Sequence, residues 1–138
     1  MDFQRITQMR KIILTLWLIF GLTSSGYPLN LTLTGAEITC DYDEPLTNVD
    51  GTPLTDLLKT TLYYERGRGT VKAKDVSAMS LTGGGHVTTT ILVPVISGED
   101  VMIRIWVTAT DTAPTPNESV ASSTESIRVD RLAPSRPR

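Results

Sequence analysis

The chain has one cysteine, one histidine and few aromatic residues (6%) in 138 positions. One cysteine excludes an intrachain disulfide framework and any cysteine-based structural zinc site. One histidine leaves a serine or threonine nucleophile almost no choice of base, and paired-carboxylate chemistry would need an acid raised in a cleft. Neither sign of charge dominates: 13 Lys and Arg against 15 Asp and Glu give a net charge of −2. That balance lacks the basic patch or stripe by which a general nucleic-acid binder is known. No apolar run approaches the ~20 residues a helix needs to span a bilayer. What is left is one ordinary domain, long enough to bury a core and too short for two. It is expected to be no enzyme and to need no cofactor or metal.

The first 26 residues read as a secretory signal peptide rather than as part of the fold. Arg5, Arg10 and Lys11 form a basic leader, and Met9 is an alternative start that would make it more compact. The apolar run from Ile12 to Leu22 follows, interrupted by Thr15 and Gly21, and Thr23-Ser24-Ser25-Gly26 closes it with small residues. Cleavage is expected before Tyr27, with membrane contact only transient. The rival reading, a retained anchor, is disfavoured by the shortness of the run. Cleavage would remove three of the 13 basic residues and one of the 15 acidic ones, leaving a mature chain of net charge −4.

From residue 29 onward the hydrophobic period is two. Leu29, Leu31 and Leu33 alternate with polar residues in a first strand that Gly35 ends. Ala36, Ile38, Cys40 and Tyr42 mark the buried side of a second. Residues 43–56, with Pro45, Asn48, Asp50, Gly51 and Pro53, are loop chemistry. Leu57 to Tyr64 is a third strand and Val71 to Val76 a weaker fourth. Gly83-Gly84-Gly85 reads as a flexible hairpin turn before a β-branched fifth strand, His86 to Val95. The strongest strand, Val101 to Thr110, points Ile103, Ile105, Val107 and Ala109 inward, and Arg104, Trp106, Thr108 and Thr110 outward. A Pro-rich loop leads to a polar last strand, Ser119 to Val129. Seven short strands in about 100 residues predict an all-β, immunoglobulin-like sandwich over residues 27–131, followed by a flexible Arg/Pro-rich tail, 132–138.

Particular residues add a resemblance. Val107-Thr108-Ala109-Thr110-Asp111, then Asn117-Glu118-Ser119, resembles the end of the sixth strand and the following turn of bacterial fibronectin type III domains. The loop Asn48-Val49-Asp50-Gly51-Thr52-Pro53-Leu54-Thr55-Asp56-Leu57 before Leu62-Tyr63-Tyr64 is also similar, so the likeness covers roughly residues 31 to 131. Two positions depart from the family: Cys40 stands where it usually has a core Trp, and Ile103 where it usually has a core Tyr. The resemblance implies a seven-stranded sandwich, a bacterial or bacterial-virus source, and a role in contact rather than catalysis.

Several residues invite function. The acidic stretch Asp41, Asp43, Glu44, Asp50 and Asp56 suggests calcium, yet in an EF-hand register its first and twelfth positions would be Leu46 and Leu57, so turn formation and solubility are the expected roles. The triple glycine lacks the Gly-Lys-Ser/Thr and the helix of a phosphate loop. Cys40 is expected to be a buried thiol, with an intermolecular disulfide as its alternative. In the tail, Arg131, Arg136 and Arg138 read as a frayed terminus or as an anionic-surface contact. Alternation turns Trp106, Arg104 and Tyr63 outward on neighbouring strands, a combination enriched at binding hot spots and able to stack on sugars. The competing role is a cross-strand pair that only shields the sheet. Leu29, Leu31 and Leu33 form the segment most able to be donated to a neighbouring sheet edge.

The sequence therefore predicts an exported, non-catalytic binding or structural module. It would work by protein or surface contact, as an accessory subunit of an extracellular, filament or virion assembly, with self-association open. The alternative is a carbohydrate-binding domain using the aromatic patch.

Overall fold

The computed structural model describes residues 29–32 and 34–136. The expected signal peptide, Leu33 and Arg138 lie outside the described residues. The seven strands are β1 (Leu29–Leu31), β2 (Gly35–Asp43), β3 (Leu57–Arg66), β4 (Thr70–Ser77), β5 (His86–Pro94), β6 (Asp100–Asp111) and β7 (Glu125–Asp130). They form two antiparallel sheets ordered β1-β2-β5 and β4-β3-β6-β7. The chain is an all-β sandwich.

Alternation builds the core as expected. Ala36, Ile38, Cys40 and Tyr42 from β2 meet Leu62 and Tyr64 from β3, and Ile103, Ile105 and Val107 from β6. Val87, Ile91 and Val93 of β5 and Val129 of β7 complete the cluster. Burying each large aliphatic side chain stabilises by about 1.5–3 kcal/mol. A polar link across the core joins the Tyr42 hydroxyl to Thr60 Oγ1 at 2.6 Å. It lets the phenol be buried without an unmet hydrogen bond.

The structure corrects several expectations. Gly35 does not break a strand: it opens β2, where a Cβ would lie 2.4 Å from the Val93 carbonyl oxygen. The first strand is only three residues long, and Leu29 and Leu31 are exposed. The last strand begins at Glu125, not Ser119, because residues 117–122 follow β6 through irregular bonds. Ser119 N donates to Ala109 O and Ser122 N to Val107 O, while the Ala109 and Val107 amides donate to serine hydroxyls. This segment covers the upper half of β6, so Thr108 and Thr110, expected to be exposed, are buried. Ala109, expected in the core, is half-buried.

The triple glycine is not a hairpin turn. It lies in the connection that carries the chain from β4 in one sheet to β5 in the other. Gly83 has φ +66°, and a Cβ there would meet the Pro45 carbonyl oxygen at 1.8 Å. Only glycine fits both the backbone angle and the close approach. Glu44, expected to serve turn formation and solubility, is 3% exposed and ties this connection down. Its carboxylate accepts from Met79 N at 2.9 Å and from Gly85 N at 3.2 Å.

The opposite end has its own clasp. Arg66 donates to the Pro94 carbonyl at 2.6 Å and pairs with Glu99, whose carboxylate also accepts from Ile96 N at 2.8 Å. Arg131, read from sequence as part of a frayed or surface-seeking end, is half-buried and donates to the Val95 carbonyl. Its own amide donates to Glu99 O at 2.7 Å. Glu99 thereby joins the ends of β3 and β5 through its carboxylate and the end of β7 through its main-chain carbonyl.

Glu44→Ala would leave two inward-facing amides without an acceptor, which costs about 2–3 kcal/mol. Urea unfolding should show the midpoint falling accordingly. A loss below about 0.5 kcal/mol, the scale of a neutral surface change, would contradict the clasp.

Candidate functional site

The outer face of the four-stranded sheet carries the residues singled out in the sequence. β3 and β6 pair with Tyr63 opposite Trp106 and Glu65 opposite Arg104. Leu62 and Tyr64 point into the core, so Tyr63 between them points out. Its ring stacks on that of Trp106, with centroids 6.0 Å apart and planes 16° from parallel. Both rings are half-buried. Arg104 lies one row away with its guanidinium on Glu65 at 2.7 Å, and more than half of its side chain is exposed. An ion pair this exposed is worth at most about 1 kcal/mol and is readily exchanged for another acceptor.

Sequence reasoning missed what surrounds the aromatic pair. The Tyr63 hydroxyl donates to Glu118 Oε1 at 2.8 Å, and Thr108 Oγ1 donates to the same oxygen at 2.5 Å. The bond to Glu118 raises the Tyr63 phenol above its ordinary range. The same two hydroxyls hold the Glu118 carboxyl below its own. On the other flank β4 places Lys72 opposite Tyr63. Asp75 accepts from Lys72 at 2.7 Å, Lys59 at 3.0 Å and Thr61 at 2.7 Å. Lys72 first, then Thr61 and Lys59, holds the Asp75 carboxyl well below the usual carboxylate range. The face is thus a stacked aromatic pair between a lysine-rich flank and an arginine. Only the pair and Arg104 were visible in strand alternation, because Glu118 arrives from a loop.

The remaining candidates have structural partners. Asp50 Oδ1 accepts from Thr52 N at 3.0 Å in a tight turn, Asp41 Oδ1 accepts from Thr88 Oγ1 at 2.5 Å, and Asp43 meets His86 Nδ1 at 2.7 Å. The Asp56 carbonyl accepts from Thr112 N at 2.8 Å. Among the described residues no group of three or more His, Cys, Asp or Glu is placed to hold a metal ion. Cys40 is 6% exposed. Beside it lies a mainly apolar cavity of about 10 Å³, lined also by Ile38, Ile105, Trp106, Val107, Glu125 and Ile127, too small for a ligand. Burial, with Asp41 second, pushes the Cys40 thiol up to about 11.

Comparison of the chain with protein-family models, with curated proteins and with solved structures found no match. Function is read from this geometry.

Two outcomes follow. Asp75, Glu118, Glu99, Asp100 and Asp111 are all held below their ordinary values. A carboxylate whose folded pKa is depressed contributes stability that is present above its unfolded pKa, near 4, and is lost as pH falls towards the folded value. The melting temperature should therefore hold above about pH 5 and fall progressively below about pH 4. Asp75→Asn should flatten the fall, and a profile level down to about pH 2.5 would contradict these pairings. Cys40, in turn, should resist a thiol reagent at pH 8 in the native protein and react within seconds in denaturant. Fast native labelling would place it at the surface.

Proposed function

We propose that the chain is an exported, fibronectin type III-like module that works by contact. The outer face of β3 and β6 holds a protein surface, as an accessory subunit of an extracellular, filament or virion assembly would. The observation that carries this reading is the stacked Tyr63–Trp106 pair, seated on a rigid sheet and flanked by Lys72 and Arg104. Aromatic rings beside cations are the side chains on which binding energy concentrates, because they bury much area for little lost freedom. Pairing across the ladder fixes both rings before any partner arrives, which lowers the ordering cost of association. The family reading is supported by strand order. The sheets β1-β2-β5 and β4-β3-β6-β7 together make seven strands in two layers, the number and architecture that the resemblance implies. Export is supported by the basic leader, the apolar run and the small residues before Tyr27.

The test is quantitative capture from the surface fraction of the producing cells, run in parallel with wild type, Trp106→Ala and the off-face variant Leu58→Ala. A protein retained by wild type and Leu58→Ala, but reduced at least tenfold by Trp106→Ala, supports the reading. Quenching of Trp106 fluorescence by soluble cell-wall glycan, with no protein lost, would favour the carbohydrate-binding alternative. Equal capture by all three forms would overturn both.

A further inference from the structure

The edges of the two sheets are not guarded alike. A free strand edge is a template for pairing, and proteins blunt it with charge, bulges or brevity. β1 is three residues long. β4 carries Lys72, Lys74 and Asp75 and meets β3 through a register shift at Leu62/Tyr63. β7 carries Glu125, Arg128 and Asp130. β5 has none of these defences within its own residues, and among the charges that reach it from other strands are Lys74 on Thr89 and Arg66 on the Pro94 carbonyl at its end. Its nine residues, His-Val-Thr-Thr-Thr-Ile-Leu-Val-Pro, contain no Lys, Arg, Asp or Glu. They pair with β2 in unbroken register from Gly35↔Pro94 to Asp43↔His86.

The parity of that ladder shows which backbone groups are free. At one end Thr32 N donates to Gly35 O, turning Gly35 towards β1; at the other, Glu44 N donates to Gly85 O. Alternation between those ends points Val87, Thr89, Ile91 and Val93 at β2. The N–H and C=O groups of Thr88, Thr90 and Leu92 point away from it. Among the described residues no hydrogen bond reaches these outward groups. Leu92 beside them is half exposed on the outer face.

We propose that β5 is a self-association edge. Two copies pair β5 antiparallel about a two-fold axis at Thr90, joining two three-stranded sheets into one of six strands. Thr90 faces Thr90 of the second copy, a favourable cross-strand pair, and Thr88 faces Leu92, covering an exposed apolar side chain. A second copy fits because two uncharged strands set no like charges opposite each other. Lys74, whose ammonium reaches Thr89 Oγ1 at 2.7 Å, falls on either side of the axis rather than on it. The register forms about six backbone hydrogen bonds. Pro94 ends it, having no N–H to give. An interface of one strand edge is small, so dissociation is expected in the micromolar range, about 10–100 µM. The contact is separate from the β3–β6 face and does not depend on the function proposed for it.

Sedimentation equilibrium of the purified full chain, from about 1 to about 500 µM to bracket that range, should show mass rising from one copy to two. Thr90→Lys puts like charges on the axis and should weaken association at least tenfold, and mixing it with Thr90→Glu should restore a one-to-one dimer. Thr90→Pro removes an outward N–H and the exposed hydroxyl that meets Thr39 Oγ1 at 3.4 Å, but no bond of the β2–β5 ladder, so it should keep the wild-type circular dichroism yet stay monomeric. Trp106→Ala should dimerise like wild type. A wild-type monomer throughout the range, or association indifferent to Thr90→Lys, would overturn the proposal.

Discussion

The register of β3 against β6 is the constraint on which the rest of the molecule depends. Side chains on a strand alternate between faces, so one alignment decides both what is buried and what is shown. With Leu62 opposite Val107 and Tyr64 opposite Ile105, four apolar side chains enter the core. The residues between them, Tyr63 and Trp106, are turned out as a stacked pair. A slip of one residue on either strand would turn that strand's apolar set outward and send Tyr63 or Trp106 into a space filled by branched aliphatics. The outer aromatic pair is therefore a by-product of a ladder whose other face is buried in the core.

Each end of the sandwich is held by a single buried or half-buried carboxylate. Glu44 gathers the crossing connection around Gly83 and Gly85, where no side chain fits. Glu99 gathers Arg66, the turn after β5 and the chain after β7. Each does what a long loop cannot do for itself, giving backbone amides or guanidinium groups a fixed partner away from bulk water.

Much of this was legible in the sequence, and the failures share one cause. The seven strands, the inward residues of β2, β3 and β6, and the outward Tyr63 and Trp106 follow from a period of two, which is a local property. The buried Thr108, the late start of β7, the pinned Arg131 and the role of Glu44 depend on segments distant in sequence lying against each other. Glu118 reads as a turn residue beside Asn117 and Ser119, and nothing near it in the chain announces Tyr63, 55 residues away. Glu44 reads as one acid among five because burial, not composition, separates it from Asp43. Cys40 was legible as buried, because it falls in the inward alternation of Ala36, Ile38 and Tyr42.

The central claim is that the β3–β6 register presents Tyr63 and Trp106 together on the outside. A two-dimensional nuclear Overhauser spectrum of the protein tests it most directly. The account predicts contacts between the Tyr63 and Trp106 rings, and contacts from the Leu62 methyls to Ile38 or Val107 but not to the Trp106 indole. Contacts from the Trp106 indole to Leu62 or Ile38, with none to Tyr63, would contradict it and remove the face on which the function is proposed.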